Sequence, residues 1–372
     1  MKIAILTPFL HREGGHGGIT TWLLNVSAEF FRRGHTVEVL VSAPAARALA
    51  HPRIDAAIRI VNLGNRTTAL YRNLHRYLRG ERPDIILSAG YRYNSAIALV
   101  LPIARVDTRW VMTVRENLTR AVSGMPAGRR LRRSLALRLC LGIADRVAGV
   151  SADLTRDMVE RWGLDPRKAG SIHNAVVDER IVERGREPVD HPFFSTGDKV
   201  LVAVGRLEPQ KDYPTLFRAF TELRTTHRAR LIILGEGSLR DRLQALVEET
   251  GLSGYVDLAG FSSNPFSYMR RADGVVLSSL WEGFGNVLAE ALAQGTPIVS
   301  TDCPSGPAEI LDNGKYGPLV PVGDAHALAD GMRRILDAPL PEETLKERAR
   351  AFSVNLRVND YLELFEALLR ER

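Results

Sequence analysis

Short apolar runs rich in β-branched residues alternate with amphipathic segments along the whole chain. In the first half, such runs span residues 2–6, 36–42, 84–88, 110–114 and 146–150. Segments with apolar residues at helical spacing lie between them, at 20–33, 69–79, 93–104 and 134–143. Strands that alternate with helices form parallel βαβ units, so the pattern predicts an open, doubly wound parallel sheet.

The same alternation begins again near residue 200. Strand-like runs span 200–204, 231–234, 256–258, 274–277 and 297–300, and helical patterns span 213–225, 239–250, 286–294 and 325–336. Residues 182–199 carry charge, Pro and Gly without periodicity, which is typical of a linker. At roughly 100–200 residues per domain, 372 residues accommodate two domains. We therefore expect an α/β protein with two Rossmann-like domains facing across a cleft, where ligands bind at the carboxyl ends of the strands.

This pattern divides the chain into three segments. Residues 1–185 are expected to form the N-terminal Rossmann-like domain, and residues 186–353 the C-terminal Rossmann-like domain. Residues 354–372 have a helical apolar pattern (Tyr361, Leu364, Phe365 and Leu368) and are expected to dock back on the first domain.

Composition excludes several classes of protein. Two cysteines, Cys140 and Cys303, cannot form a disulfide framework or a four-ligand zinc site, which favours a reducing compartment. The longest stretch without a charged side chain, residues 14–28, is shorter than the roughly 18 apolar residues of a membrane-spanning helix. No long apolar segment of a signal peptide opens the chain, so we expect a cytoplasmic enzyme.

Charge is distributed unevenly between the two halves. Residues 1–185 have a net charge of +13 and residues 186–372 a net charge of −6. Residues 115–146 are the densest basic segment, and Leu131, Leu135, Leu139 and Ile143 recur there every four residues, which predicts an amphipathic basic helix. Peripheral docking on an anionic membrane and a merely solvated helix surface both fit this segment. Nucleic-acid binding is disfavoured because no aromatic platform accompanies the charge.

A glycine-rich loop, residues 13–19, lies between the first predicted strand and the first predicted helix. Glycines allow close backbone approach, and a helix N-terminus offers N–H groups to phosphate. Thr20 stands where a dinucleotide fingerprint requires its third glycine, so the loop is either a phosphate contact or a simple turn.

Two later loops carry charges suited to a phosphorylated ligand. Arg206 and Lys211 follow the strand at 200–204, where they can neutralise a diphosphate or form surface ion pairs with Glu208 or Asp212. Glu282 and Glu290 lie in and after the loop that follows the strand at 274–277. A carboxylate on the following helix can accept hydrogen bonds from vicinal ribose hydroxyls. Cys303, in a third loop, has no nearby histidine and is interpreted as a buried thiol.

Together these segments resemble the retaining glycosyltransferases of family 4, which have the GT-B fold. The motifs that carry the resemblance are Gly17-Gly18, Gly205-Arg206 with Lys211, and the segment from Glu282 to Glu290. The resemblance implies that residues 1–185 bind the acceptor and residues 186–353 a UDP-sugar, without a metal or other cofactor. It also implies that Arg206, Lys211 and Glu282 are catalytic. The donor-binding residues it implies are Gly17, Gly18, Arg206, Lys211, Glu282, Phe284, Gly285, Asn286, Val287 and Glu290. Arg206 and Lys211 would contact the diphosphate, Glu290 the ribose, and Glu282 with the backbone of residues 284–287 the sugar and phosphates.

One position departs from the family pattern. Many members carry a histidine after the fourth strand of the first domain, whereas this chain has Arg115. Residues 114–117, 303–307 and 313–317 resemble a subgroup that includes N-acetylgalactosamine transferases acting on lipid-linked oligosaccharides. This resemblance makes Arg115 and Asn174 candidates for contact with the sugar or the acceptor.

The resemblance implies a retaining transferase that moves a hexose or N-acetylhexosamine from a nucleotide-sugar to a glycan or polyprenyl-diphosphate-linked glycan in cell-envelope polysaccharide synthesis. Such an enzyme would be cytoplasmic and associated with the inner face of the membrane through residues 115–146. A nucleotide-sugar epimerase and a non-catalytic sugar-binding protein on the same fold remain alternatives at this stage.

Overall fold

A computed structural model describes residues 1–7, 18–42 and 54–371 of the chain. The chain forms two compact units: the first comprises Met1–Ala175 with Val354–Arg372, and the second comprises Val176–Ser353. Each unit is built around a parallel sheet with helices on both faces, as the alternating pattern predicts. Among the described residues, no helix has both the length and the apolar character needed to cross a bilayer.

The first unit contains a sheet of seven parallel strands. Its strands are β1 (Lys2–Thr7), β2 (Thr36–Val41), β3 (Arg59–Asn62), β4 (Ile85–Ala89), β5 (Arg109–Val114), β6 (Arg146–Gly149) and β7 (Ala169–Ser171). Between them lie helices α1 (Gly18–Arg32), α2 (Thr67–Glu81), α3 (Tyr91–Ala104), α4 (Leu118–Ser123), α5 (Ala127–Ile143) and α6 (Ala152–Trp162). The strand order is β3-β2-β1-β4-β5-β6-β7.

The second unit contains a sheet of six strands in the order β10-β9-β8-β11-β12-β13. They are β8 (Lys199–Val204), β9 (Ala229–Leu234), β10 (Val256–Gly260), β11 (Gly274–Leu277), β12 (Ile298–Thr301) and β13 (Leu319–Val320). The accompanying helices are α7 (Glu179–Gly185), α8 (Tyr213–Leu223), α9 (Arg240–Glu249), α10 (Pro265–Arg271), α11 (Asn286–Gln294), α12 (Pro307–Ile310), α13 (Ala325–Asp337) and α14 (Glu342–Ala349). The last helix, α15 (Val354–Arg370), belongs to the first unit.

Alternate residues of the first sheet face opposite helical layers, as the period of two in a strand requires. Ala4 and Leu6 pack in a buried cluster with residues of α2, α3 and α5. Ile3 and Ile5 pack in a second cluster, with residues of α1 and α15. In that cluster, Tyr361 and Phe365 of α15 contact the ring of Phe30 with centroid distances of 6.3 Å and 5.7 Å.

The second unit begins at Val176, before the division between residues 185 and 186 that the sequence suggests. The backbone N–H groups of Val176 and Val177 both donate to the carbonyl of Phe352, which ties residues 176–177 to the end of the second unit. Residues 182–199 are also not a simple linker, because they include the end of α7 and a 3₁₀ turn at Pro192–Ser195. The Asp178 side chain caps α7 by accepting from the N–H of Ile181.

Candidate active site

The strongest candidate site lies at the carboxyl ends of β8 and β11, the two central strands of the second sheet. Strand order reverses between them, because β9 and β10 lie beyond β8 whereas β12 and β13 lie beyond β11. In open α/β sheets, ligands bind in the crevice at such a switch point. The loops that follow β8 and β11 carry Arg206, Lys211 and Glu282 to this place.

The loop after β8 places the Lys211 side chain against the end of its own strand. A Cβ on Gly205 would lie 2.6 Å from Cε of Lys211, so the lysine side chain passes close over this backbone and a larger residue there would displace its end. The hydroxyl of Tyr213 donates to the carbonyl of Gly205 at 3.0 Å. Asp212 has a φ of +46°, a left-handed conformation in which the short 3₁₀ turn ends and α8 begins.

Lys211 and Glu282 form an ion pair in which both side chains are largely buried. Nζ of Lys211 lies 2.7 Å from Oε1 of Glu282, and the Ser279 hydroxyl donates to the same carboxylate oxygen at 2.6 Å. This arrangement differs from the alternative that Lys211 pairs with Glu208 or Asp212. The ion pair between Lys211 and Glu282 compensates the charge of a buried carboxylate and fixes a primary ammonium group at the switch point.

Hydrogen bonds hold the loops after β8 and β11 to each other. The Ser278 hydroxyl donates to the carbonyl of Lys211 at 2.6 Å, and the Gln210 amide donates to the carbonyl of Trp281 at 2.7 Å. Sequence reasoning missed Ser278, Ser279 and Gln210. Ser278 and Ser279 directly follow a strand, and Gln210 is the neighbour of Lys211. These positions are the sequence signal that could have identified the three residues.

Arg206 lies in the same loop as Lys211 but is exposed. Within the described part of the chain, its guanidinium forms no ion pair or hydrogen bond, including none with Glu208 or Asp212. The carboxylate of Glu208 instead accepts from the N–H and hydroxyl of Ser238 at 3.1 Å and 3.0 Å. Arg206 is therefore a cation at the edge of the site that can pair with an anionic ligand.

Glu290 lies in the second turn of α11; the residue as a whole is partly exposed, but its carboxyl group is surrounded by protein. Its carboxyl group has no hydrogen-bond or ion-pair partner among the residues that the structure describes. Burial raises its pKa to about 7, and the positive charge of Lys211 opposes that increase. A carboxyl group left unpaired at this position is suited to accept hydrogen bonds from a ligand.

The N-terminus of α11 follows directly after Glu282. Gly285 precedes the helix with a φ of +95°, and no side chain of the described residues caps the first turn, which begins with Asn286 and Val287. Phe284 differs from the other implied donor contacts because its ring is buried against Phe352, at a centroid distance of 5.6 Å. Only the backbone of Phe284 can therefore serve a ligand.

The loop after β12 contacts the loop that carries Glu282. The backbone N–H of Glu282 donates to the carbonyl of Pro304 at 3.2 Å. Gly306 approaches the other loop so closely that a Cβ would lie 1.8 Å from the carbonyl oxygen of Phe284, and its φ is +111°. Only glycine fits this contact.

The variant Gly306→Ala is expected to lower the free energy of unfolding by at least about 3 kcal/mol, because both the contact and the backbone conformation must be relieved. Gly323→Ala is the matched control: its φ is +79°, but a Cβ there meets nothing within 4 Å. The free energy of unfolding of Gly323→Ala is expected to fall by about 1–2 kcal/mol. Urea unfolding followed by circular dichroism measures both, and equal losses would show that the contact with Phe284 is unimportant.

A second group of implied residues lies in the first unit. Nη2 of Arg115, at the end of β5, donates to Oδ1 of Asn174 at 2.7 Å, and its guanidinium stacks 4.3 Å from the ring centroid of Trp22. Nη1 is buried without a hydrogen-bond partner among the described residues. Burial lowers the pKa of Arg115 to about 10, so the side chain stays charged near neutral pH. Gly18 begins α1, whereas Gly17 lies outside the described residues.

Two other groups do not belong to the candidate site. Cys303 is buried, and burial raises the pKa of its thiol to about 12, which agrees with its interpretation as an unreactive thiol. Glu222, His326 and Asp330 bring three ligand atoms within 4.8 Å of one another in the second unit. Arg333 forms ion pairs with both carboxylates, so a cation would have to displace it.

Two family models match the chain, one for each half. Residues 16–180 match the model "Glycosyltransferase Family 4", and residues 189–352 match the model "Glycosyl transferases group 1".

Curated relatives agree with these matches. The chain is 30% identical over 269 residues to N-acetylgalactosamine-N,N'-diacetylbacillosaminyl-diphospho-undecaprenol 4-alpha-N-acetylgalactosaminyltransferase of Campylobacter jejuni, which covers 72% of this chain and 68% of the relative. It is 31% identical over 228 residues to the lipopolysaccharide core biosynthesis glycosyltransferase LpsE of Rhizobium meliloti, covering 60% of this chain and 61% of the relative. The chain thus matches about two thirds of the length of these relatives.

Solved structures share the whole fold. HepE of Anabaena, crystallised in complex with UDP, aligns with a TM-score of 0.79 and 20% identity over 99% of this chain and all of that chain. Sucrose-phosphate synthase from Thermosynechococcus elongatus aligns with a TM-score of 0.83 and 19% identity over the full length of both chains. The two parallel-sheet domains are therefore a GT-B fold, the fold of a large class of glycosyltransferases. Within that class, the chain belongs to glycosyltransferase family 4.

Proposed function

We propose that this glycosyltransferase is a retaining enzyme that uses a UDP-sugar as donor, without a metal ion. The observation that carries this proposal is the cationic site after β8, where Lys211 is fixed by Glu282 and Arg206 has no ion-pair partner among the residues that the structure describes. A nucleoside diphosphate is the leaving group that such a site would neutralise. UDP complexes are known for the structural relative HepE, which supports uridine over other bases.

In the proposed reaction, the bond between C1 of the sugar and the diphosphate oxygen breaks, and the electron pair passes to the diphosphate. Lys211, Arg206 and N–H groups at the start of α11 would stabilise the negative charge that develops there. The acceptor hydroxyl attacks C1 on the same face, so the configuration is retained. Its proton passes to the departing diphosphate, and no protein nucleophile is needed.

We further propose a lipid-linked glycan as the acceptor and the synthesis of cell-envelope polysaccharide or glycoconjugates as the setting, at the inner face of the cytoplasmic membrane. The Campylobacter relative is a transferase that acts on an undecaprenyl-diphosphate-linked sugar, and the Rhizobium relative acts in lipopolysaccharide core synthesis. Arg115, with one buried and unpaired Nη atom, is assigned to the sugar or to the acceptor phosphate, and Asn174 orients it. A hexose or an N-acetylhexosamine is the proposed sugar.

Isothermal titration calorimetry with UDP, GDP, ADP and NAD tests the donor proposal. We expect binding of UDP in buffer that contains EDTA, and weaker or no binding of the other three nucleotides. Failure to bind any nucleoside diphosphate, in protein shown to be folded by circular dichroism, would contradict the donor assignment. A requirement for added Mg²⁺ would contradict metal independence.

A further inference from the structure

Exposed apolar side chains are concentrated on two neighbouring helices of the first unit. Nine large apolar side chains are exposed among the described residues, and five of them lie on α3 and α5. They are Leu99, Ile103, Leu131, Leu135 and Leu139, with exposed fractions from 44% for Leu139 to 64% for Ile103. Since α3 packs against α5, these side chains lie on adjacent helices of one layer, and we refer to them together as the apolar surface.

The leucines of α5 lie on the side of the helix that faces away from the core. Leu137, Cys140 and Leu141 are buried in the cluster beneath the helix. Leu131, Leu135 and Leu139 are spaced four residues apart and form a stripe about 12 Å long on the opposite side. The apolar periodicity of this segment therefore marks its outer surface.

The helices that carry this apolar surface, together with the neighbouring α2, are strongly basic. The adjoining helices α2, α3 and α5 carry three, one and five arginines, respectively, against a single acidic residue, Glu81. Four arginines of α5 form no ion pair within the described ranges of the chain: Arg129, Arg130, Arg132 and Arg138. By contrast, both arginines of α6 are paired, Arg156 with Asp153 and Arg161 with Asp157.

We propose that this surface docks on an anionic lipid bilayer, with the five apolar side chains inserted between lipid headgroups. The docking face is defined by Leu99, Ile103, Leu131, Leu135 and Leu139 together with Arg129, Arg130, Arg132 and Arg138. Exposed apolar side chains on adjacent helices, together with arginines that form no ion pair among the described residues, match an anionic membrane interface, which takes up both apolar and basic side chains.

Other occupants fit the same charges less well. A second copy of the chain would bring two strongly basic surfaces together, which like-charge repulsion opposes. A nucleic acid would satisfy the arginines but would leave the five apolar side chains without a partner, since they form no stacking platform.

This inference rests on the proposed lipid-linked acceptor for its biological purpose, but its test measures docking alone. Co-sedimentation with phosphatidylcholine vesicles, with and without phosphatidylglycerol, provides the readout. We expect the protein to sediment with the anionic vesicles and to stay in the supernatant with neutral ones. Raising the salt concentration should weaken binding, because the arginines are exposed to solvent.

Two sets of variants separate the contributions. Replacing Arg129, Arg130, Arg132 and Arg138 by Gln is expected to weaken binding at least about a hundredfold, since each basic residue contributes about fivefold near an anionic surface. Replacing Leu131, Leu135 and Leu139 by Ser is expected to weaken it at least about tenfold. Because these side chains are exposed, the substitutions should leave thermal unfolding and the calorimetric binding of UDP unchanged.

The matched controls lie elsewhere on the surface. Arg156→Gln with Arg161→Gln on α6, and Leu340→Ser in the second unit, are expected to bind vesicles within about twofold of the wild type. The proposal is overturned if the wild type does not sediment with anionic vesicles, or if the leucine variant binds them as well as the wild type. The proposal is also overturned if a DNA oligonucleotide displaces the vesicles and the wild type and the leucine variant bind that oligonucleotide equally well. UDP binding that persists in any of these cases keeps the donor proposal intact.

Discussion

Replacing Lys211 by alanine is expected to lower kcat for sugar transfer by about a hundred- to a thousandfold. Its ammonium group lies at the switch point of the second sheet, where the proposed diphosphate gains charge as the sugar departs. Loss of one fixed charge that stabilises a transition state typically has an effect of this size. The KM for the donor should change less than kcat, because the charge is larger in the transition state than in the bound donor. Release of UDP, measured at saturating donor, is the assay.

The same substitution also has a structural effect that must be separated from the catalytic one. Without Lys211, the buried Glu282 carboxylate keeps a single partner among the described residues, the hydroxyl of Ser279. Breaking a buried ion pair in this way costs about 3–5 kcal/mol of stability. The double variant Lys211→Ala with Glu282→Gln removes the unpaired charge and should recover most of that stability, while transfer stays slow.

The outcome of the double variant decides which role Lys211 plays. Transfer that recovers together with stability would show that the lysine only supports the loop, contrary to the proposed mechanism. Lys199→Ala is the matched control, because Lys199 lies at the start of β8 and pairs with Asp273 at 2.9 Å on the surface. Its transfer rate is expected to stay within about twofold of the wild type.

The central strands and several helices were predictable from local sequence because they bury continuous apolar runs. The strand at 274–277 and the helix at 286–294 have the predicted bounds. The strands β3, β7 and β13 were not predicted. They are two to four residues long, lie at sheet edges and are only partly buried, so they leave no apolar run to detect.

Periodicity alone did not decide which side of α5 is buried. The alternation of strands and helices predicts a helix at 134–143 and the leucine repeat extends it to Leu131, but α5 begins at Ala127, directly after Pro126. Its first turns are rich in arginine and carry no core residue, so they lack the signal that predicts a helix. Which apolar stripe is buried depends on the tertiary packing, and here Leu137 and Leu141 are buried whereas Leu131 and Leu135 are exposed.

Parts of the candidate site were predictable for a different reason. Loops at the carboxyl ends of parallel strands converge at one edge of a sheet, so Arg206, Lys211 and Glu282 could be grouped once their strands were found. The partner of Lys211 could not be found in the same way. Its pairing with Glu282 rather than Glu208 depends on the left-handed turn at Asp212 and on loop-to-loop hydrogen bonds, which no local pattern encodes.

Replacing Glu290 by glutamine is expected to weaken the binding of UDP about ten- to a hundredfold. The proposed role of this carboxylate is to accept hydrogen bonds from both ribose hydroxyls, and hydrogen bonds to a charged group contribute about 1.5–3 kcal/mol. Glutamine keeps the shape of the side chain but carries no charge. Glu249→Gln, on the exposed surface of α9, is the control and should bind UDP like the wild type.

The pH dependence of binding gives Glu290 a second and more specific test. Because burial raises its pKa from 4.5 to about 7, the free protein holds this group largely protonated at pH 6 and largely ionised at pH 8. The ionised form accepts from two hydroxyls, so the affinity for UDP should rise with pH through about 7. The terminal phosphate of UDP titrates alike with the wild type and with Glu290→Gln. The additional rise in affinity caused by Glu290 should therefore occur only in the wild type.

In the absence of ligand, the contribution of Glu290 to the free energy of unfolding should fall as the pH rises, whereas the affinity for UDP should rise. A group whose pKa is raised by folding binds its proton more tightly in the folded state, so its contribution is fully present below about pH 4.5 and is lost as the pH rises through about 7. Urea unfolding of the wild type and of Glu290→Gln across this range measures the difference. A pH step in binding that persists in the glutamine variant would assign the titration to another group, and unchanged UDP affinity would place the ribose elsewhere.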